Sequence, residues 1–255
     1  MNKLDLFLES LLSESIQDKY KCKCIIMAGS AGAGKTHTSS LLIPGGKNFI
    51  IGTDSFFEFF LKRDGLSLDM SKDDIDTLNK KLSYRDKARE PAHKKLAHRI
   101  DSLLPIILDG TGQWKDKIDE QKTKMEAMGY DVYMIYINTS RKIAELRNQE
   151  RERKLNPEVV KKIWYRTQRN FTYFKQLFGS DMWVIDNLTY HPQGSPEYQE
   201  YVKKILVIRK NTLEQPLENP IGIDLLRRIE EVGGSYLRDI GIDLVGKDLD
   251  KVTQV

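Results

Sequence analysis

The sequence predicts an α/β fold: a doubly wound parallel sheet of five strands, with a helical lid and a C-terminal accessory segment. Two observations predict it. Short apolar runs alternate with helix-length segments between Lys21 and Tyr190, the spacing of parallel strands joined by helical crossovers. Several of these runs end in glycine or an acidic residue, as strands do where they open onto a ligand. With 255 residues, 40% of them hydrophobic, the chain is long enough to bury one large core.

Leu4 to Asp18 carries apolar residues at Leu4, Phe7, Leu8, Leu11 and Leu12, a helical stripe, so residues 1–20 read as an amphipathic helix. Asp5 and Glu9 interrupt the apolar positions, so an amphipathic helix is expected in preference to a signal peptide. Lys23 to Ala28 is a short apolar run that leads into glycines and reads as a buried parallel strand. A helix starts at Lys35 and stops before Pro44-Gly45-Gly46. Asn48 to Ile51 is the second strand, followed by Gly52-Thr53-Asp54-Ser55 and a helix from near Phe56.

Polar helix-forming sequence then runs from Ser71 to Leu103, with breaks expected around Ser83-Tyr84 and at Pro91. Pro105 to Leu108 is the third strand and ends at Asp109-Gly110-Thr111-Gly112. A charged helix, Lys115 to Met128, precedes the fourth strand, Asp131 to Ile137. Helix follows from Ser140 towards Arg153, and again from Asn156-Pro157 to about Phe178. Met182 to Ile185 is the fifth strand, closed by Asp186-Asn187.

Beyond Tyr190 the pattern weakens: Pro192, Gly194 and Pro196 mark a loop, Glu197 to Ile208 suits a helix or a final strand, and Ile221 to Ile229 suits a helix. The expected organisation is an N-terminal helix at 1–20, a main domain at 21–190 with its lid at about 141–157, and an accessory segment at 191–255.

Composition narrows the class. Lys and Arg number 41 against 37 Asp and Glu, a net charge of +4 that suits an anionic small substrate but not the dense basic stripe of a nucleic-acid binder. No apolar run approaches the roughly 18–20 residues of a membrane span, so no membrane partner is expected. Cys22 and Cys24 are two apart on an extended segment, too far for an unstrained disulfide and too few for structural zinc. A reducing, cytoplasmic setting is the expectation.

Gly29-Ser30-Ala31-Gly32-Ala33-Gly34-Lys35-Thr36 matches G-x-x-x-x-G-K-[ST] in full, between a strand and a helix. Glycines let the backbone turn its N–H groups around phosphate oxygens, and Lys35 adds charge at the β- and γ-phosphates. The Thr36 hydroxyl completes a magnesium shell, and the following helix, beginning with His37 next in line, points its positive end at the same anion. The cofactors expected are ATP and Mg²⁺, held by Gly29 to His37.

Three acids fall at strand ends: Asp54, Asp109 and Asp186. A kinase acting on a hydroxyl needs a carboxylate to accept the proton, and Asp54 is the candidate base, with helix N-capping the competing role. Asp109 is placed to hold magnesium or touch substrate, with a turn role in D-G-T-G as the alternative. Asp186-Asn187 borders the nucleotide base or closes a loop. Arg147 and Arg151, four apart on a predicted helix face, are the candidate lid arginines for charge developing on the phosphoryl group. Against this, Glu145, Glu150 and Glu152 also suit a solvated surface helix. The aromatic cluster Phe56, Phe57, Phe59 and Phe60 suits core packing. The basic stretch Arg85 to Arg99 suits a wet helix face or an anionic-substrate patch.

Together the phosphate loop, Ile50–Phe56 (I-I-G-T-D-S-F), Ile106–Gly112 (I-I-L-D-G-T-G), the Arg147/Arg151 segment and Gly129-Tyr130 with its strand resemble the zeta-toxin and polynucleotide-kinase-like P-loop kinases, the zeta group most closely. The resemblance spans about Lys21 to Asn187. It implies the P-loop kinase type of sheet, ATP–magnesium binding, Asp54 as base, and lid arginines between Arg147 and Arg153. It also implies a hydroxyl acceptor: a UDP-linked amino sugar in zeta toxins, a nucleic-acid 5′-hydroxyl in polynucleotide kinases. Two departures stand out. Gly112 is followed by Gln113 where zeta-like chains carry a substrate-contacting arginine, and Asp109 replaces the usual Glu. The first expectation is therefore a kinase acting on a small, nucleotide-like acceptor, and the alternative a kinase acting on DNA or RNA. A regulatory NTPase is a third reading, since D-G-T-G satisfies D-x-x-G, although no N-K-x-D motif follows. The resemblance leaves an antitoxin-like partner and the oligomeric state open.

Overall fold

The computed structural model describes residues 20–43, 49–189 and 192–232. The expected N-terminal helix, the Pro44-Gly45-Gly46 stop and the last part of the tail lie outside the described residues. Five parallel strands form one sheet: β1 (Lys23–Ala28), β2 (Ile50–Ile51), β3 (Ile106–Asp109), β4 (Asp131–Asn138) and β5 (Met182–Asp186). Their order is β2-β3-β1-β4-β5, which puts β1 at the centre. All six β1 residues are buried, which is why this segment reads as an unbroken apolar run. The register sets Cys24 beside Ile106 on one side and Val132 on the other, so Asp109 stands level with Met27.

Alternate strand residues feed opposite layers. Cys24, Ile26, Ala28, Leu108, Met134 and Tyr136 face the helices α3 (Ile75–Asp101), α4 (Lys115–Ala127) and α7 (Phe171–Phe178) through Leu96, Ile118, Met125 and Phe174. Ile25, Met27, Ile107, Ile135 and Ile185 face α1 (Lys35–Leu42) and α8 (Pro196–Asn211). Each fully buried Ile or Leu contributes about 1.5–3 kcal/mol relative to exposure. The second layer includes Tyr201, Ile205, Ile208 and Leu213, so residues read from the sequence as part of an accessory segment supply core. The remaining α-helices among the described residues are α2 (Asp54–Arg63), α5 (Arg141–Glu150), α6 (Pro157–Arg169) and α9 (Pro220–Val232).

Several local expectations are corrected. The helix α3 runs unbroken past Ser83-Tyr84 and through Pro91. Its stripe of Tyr84, Ala88, Ala92 and Leu96 is buried, and that packing outweighs the hydrogen bond Pro91 cannot make. Asp54 is not the N-cap of its helix: Thr53 takes that place and Asp54 opens the first turn. The lid helix ends at Glu150, and Arg151 is extended, so Arg147 and Arg151 do not share a helix face. Asn170 ends the α6 helix before the α7 helix begins, where one helix to Phe178 is expected. Glu197 to Ile208 is helix rather than strand.

At the sheet's amino end, Lys23 and Asp131, 2% and 9% exposed, form a 2.6 Å ion pair. Lys23 also donates to the Pro216 carbonyl, and Asp131 accepts from the Glu218 and Asn219 backbone. The segment before α9 is thereby tied to the end of the sheet opposite the phosphate loop. Among the described residues no helix is long and apolar enough to cross a membrane.

Candidate active site

Strand ends converge on one cleft of about 420 Å³. The loop after β1 lines it with Ala31 to His37, the end of β3 with Asp109 to Gln113, the start of α2 with Asp54, and the region after β4 with Arg147, Arg151 and Arg153. Ligands of open parallel sheets bind at this edge.

Backbone geometry explains two glycines of the phosphate loop. Gly32 (φ 79°) and Gly34 (φ 99°) occupy the left-handed region. A Cβ on Gly32 would lie 2.5 Å from the Ala144 carbonyl oxygen, and one on Gly34 would lie 2.6 Å from Asn187 Nδ2. The loop is therefore pressed between α5 and the residue that follows β5. Asn187 donates from Nδ2 to the Ala33 carbonyl at 2.7 Å, while its Oδ1 accepts from Arg147 Nη2 at 3.0 Å. The sequence reading left Asn187 undecided between loop closure and the nucleotide base; here it clamps the phosphate loop from behind.

That clamp has a measurable consequence. Asn187→Ala removes both bonds and strands the Ala33 carbonyl, for an expected loss of about 1–3 kcal/mol of stability. Thermal unfolding should show the loss, and ATP titration should show a several-fold weaker affinity. Unchanged values in both would mean the loop holds its shape without Asn187.

Lys35 donates from Nζ to the Gly29 and Ser30 carbonyls at 3.0 and 3.3 Å. Burial lowers its pKa, while the Asp109 and Asp54 carboxylates pull the other way. Asp109 has its Oδ1 buried with no hydrogen-bond partner. Burial raises its pKa, Lys35 opposes that, and Asp54 adds to it. An orphaned carboxylate oxygen beside the phosphate loop fits a divalent cation, with Thr36 exposed at the same cleft. No group of three or more His, Cys, Asp or Glu residues able to hold a metal occurs among the described residues. A magnesium ion here would thus rely on nucleotide oxygens together with Asp109 and Thr36, its usual mode in such sites.

Asp54 lines the same cleft. Arg153 Nη2 donates to Asp54 Oδ2, and Arg85 Nη2 lies 3.9 Å from Oδ1. Burial works to raise the Asp54 pKa, but the hydrogen bond and charge of Arg153, then Arg85 and Lys35, outweigh it and hold the carboxyl down at about 2. The loop after Asp109 is fixed in turn. The Thr111 carbonyl accepts from Gly29 N and Thr167 Oγ1, and Asn170 Nδ2 donates to the Gly112 and Gln113 carbonyls.

The expected lid arginines separate. Arg147 turns to Asn187 and the Thr189 carbonyl, on the far flank of the phosphate loop from Asp54. Arg151 donates to Asn148 Oδ1 at 2.9 Å and lines the cleft. Arg153 is the arginine that reaches Asp54, a pairing no residue spacing announces. His37 lines the cleft while its ring stacks on Tyr201 at 6.1 Å. Burial, then the Arg147 charge, lowers its pKa.

The cleft is also lined by Arg85, Gln113, Trp114, Lys117, Ile118 and Gln121. Trp114 is 55% exposed with the Arg166 guanidinium 4.7 Å from its ring centre. Burial pushes Lys117 down to about 8, with Arg89 adding and Glu120 opposing. Of these, the sequence singled out only the stretch containing Arg85 and the departure at Gln113. Trp114 and Lys117 carry no motif.

The family described as Zeta toxin matches residues 9–185. Similar solved structures include one from the PezAT chromosomal toxin–antitoxin system of Streptococcus pneumoniae, at 15% identity and TM-score 0.45, covering 90% of this chain and 95% of that one. A gluconokinase from Sinorhizobium meliloti aligns at 12% identity and TM-score 0.45, covering 76% of this chain and 94% of its own. Shikimate kinase from Acinetobacter baumannii aligns at 14% identity and TM-score 0.39, covering 75% and 97%. A search of curated proteins found no match at the significance required.

Proposed function

Because the chain belongs to the zeta-toxin family and is a phosphotransferase, we propose that it transfers the γ-phosphoryl group of ATP to a hydroxyl of a small nucleotide-like acceptor, with Asp54 as the base. The observation that carries this reading is that Asp54, Lys35 and Asp109 line one cleft together with Arg85 and Lys117. In this reading the acceptor hydroxyl gives its proton to Asp54 as its oxygen bonds to the γ-phosphorus. The bond from that phosphorus to the β-phosphate oxygen breaks, and ADP leaves. Lys35 and the loop N–H groups hold the phosphates, and Arg151 faces the charge that spreads over the transferring oxygens. Magnesium, when bound, neutralises charge on the β- and γ-phosphates.

A carboxyl held at about 2 is a weak base, yet it suits this reaction. In a loose phosphoryl-transfer transition state the hydroxyl proton leaves late, so orienting the hydroxyl matters more than basicity. Charge and shape support the acceptor class: the cleft offers Arg85, Lys117 and the exposed indole of Trp114, partners for a phosphate-linked ring.

Label transfer from γ-labelled ATP with magnesium tests the reading, with UDP-N-acetylglucosamine, free nucleosides and oligonucleotides bearing 5′-hydroxyls offered separately. Label in the UDP-sugar is the expected result. Label in oligonucleotides alone would replace the small acceptor with nucleic acid, and free phosphate from every mixture would remove the acceptor altogether.

A further inference from the structure

We propose that Lys117 is a specificity-determining residue whose ammonium pairs with a phosphate of the acceptor, an inference that rests on the acceptor being small and nucleotide-like. Six lysines and arginines line the cleft, and five of them are engaged by the chain itself. Lys35 donates to the Gly29 and Ser30 carbonyls, Arg147 to Asn187, Arg151 to Asn148 and Arg153 to Asp54. Arg85 lies 3.9 Å from the same Asp54 carboxylate. Lys117 is different. Among the described residues it makes neither a hydrogen bond nor an ion pair. Glu120, the carboxylate that faces it, pairs instead with Lys124 at 3.0 Å.

The neighbourhood of Lys117 is cationic. Lys117 stands in the first turn of α4, and α3 carries Arg85 and Arg89 four residues apart, hence on one face. The Arg89 charge lowers the pKa of both Arg85 and Lys117, so the three cations share one region. Arg89 has its own partner in Asp86 at 3.2 Å. The charged groups facing Lys117 are thus Arg89 on α3 and Glu120 on its own helix; burial acts first, and together they leave Lys117 at about 8. An ammonium held partly out of water beside a guanidinium costs stability unless an anion meets it. A phosphate meets it fully, with negative charge and with oxygens for three N–H donors. Arg85 faces both Asp54 and Arg89, which ties this cationic group to the candidate base.

Acceptor kinetics at pH 7 and pH 9 test the assignment. A lysine that titrates at about 8 is charged below that pH and loses its charge above it. In the wild type the KM for UDP-N-acetylglucosamine should therefore rise about tenfold from pH 7 to pH 9. Lys117→Met should raise that KM about tenfold at pH 7, with the loss in KM instead of kcat, and should abolish the rise with pH. Its preference for UDP-N-acetylglucosamine over N-acetylglucosamine should shrink by the same factor. Lys117→Arg, charged throughout, should keep the low KM at both pH values. A wild-type KM in Lys117→Met, or the same rise with pH in that variant, would overturn the proposal. A second readout needs no transfer: the ¹³Cε resonance of Lys117, followed through pH in protein loaded with ADP and magnesium. Pyrophosphate should move its midpoint upward, and an unmoved midpoint would overturn the proposal. If the wild type phosphorylates no UDP-sugar, the acceptor reading falls, and this midpoint still decides whether Lys117 holds phosphate.

Discussion

Lys35→Met is expected to lower kcat/KM by about 10³-fold, because it deletes the charge that meets the β- and γ-phosphates where water is largely excluded. The Nζ of Lys35 already spans the Gly29 and Ser30 carbonyls, so its position is set before nucleotide arrives. Methionine keeps the length and the packing, which confines the change to charge and hydrogen bonding. Calorimetric ATP titration alongside steady-state kinetics separates the two consequences: weaker nucleotide binding and slower transfer. A variant that keeps full activity would mean phosphates do not contact this loop.

Asp54→Asn should leave ATP affinity within about twofold and lower kcat by about 10²–10⁴-fold, the range for removing a general base. Arg153 and Arg85 then lose their anionic partner, so the folded chain must be checked by thermal unfolding. Phosphoryl transfer to the acceptor undiminished in the variant would remove Asp54 as base. The pH dependence has a definite sign. Asp54 titrates at about 2 in the folded chain against roughly 3.9 unfolded, so the stability from its pairing is complete above about pH 4–5 and fades as pH falls towards 2. Activity should therefore show no acid limb from Asp54 between pH 5 and 7. Such a limb appearing in Arg153→Met would follow from burial acting without its counterweight.

The phosphate loop was legible in the sequence because its chemistry is local. Eight consecutive residues set their own backbone turn, aim their own N–H groups and place Lys35 and Thr36 at the start of the next helix. The strands were legible for a related reason: a doubly covered parallel sheet demands continuous apolar runs, and β1 and β4 are such runs. Asp54 and Asp109 could be nominated from their places at strand ends, although nothing in the chain stated that both face Lys35.

What the sequence by itself determined was the fold class, the phosphate loop and the short roster of acids and arginines from which a site could be built. Only the tertiary structure decided which arginine meets which acid. Arg153 and Asp54 are 99 positions apart, and they meet because the segment after β4 crosses back over the start of α2. It also decided that Arg147 belongs with Asn187, and that the α8 helix supplies core residues. The physical reason is common to all three. A helix or a turn is specified by neighbours within a few residues, whereas an ion pair between distant segments is specified by strand order, and strand order leaves no period in the sequence.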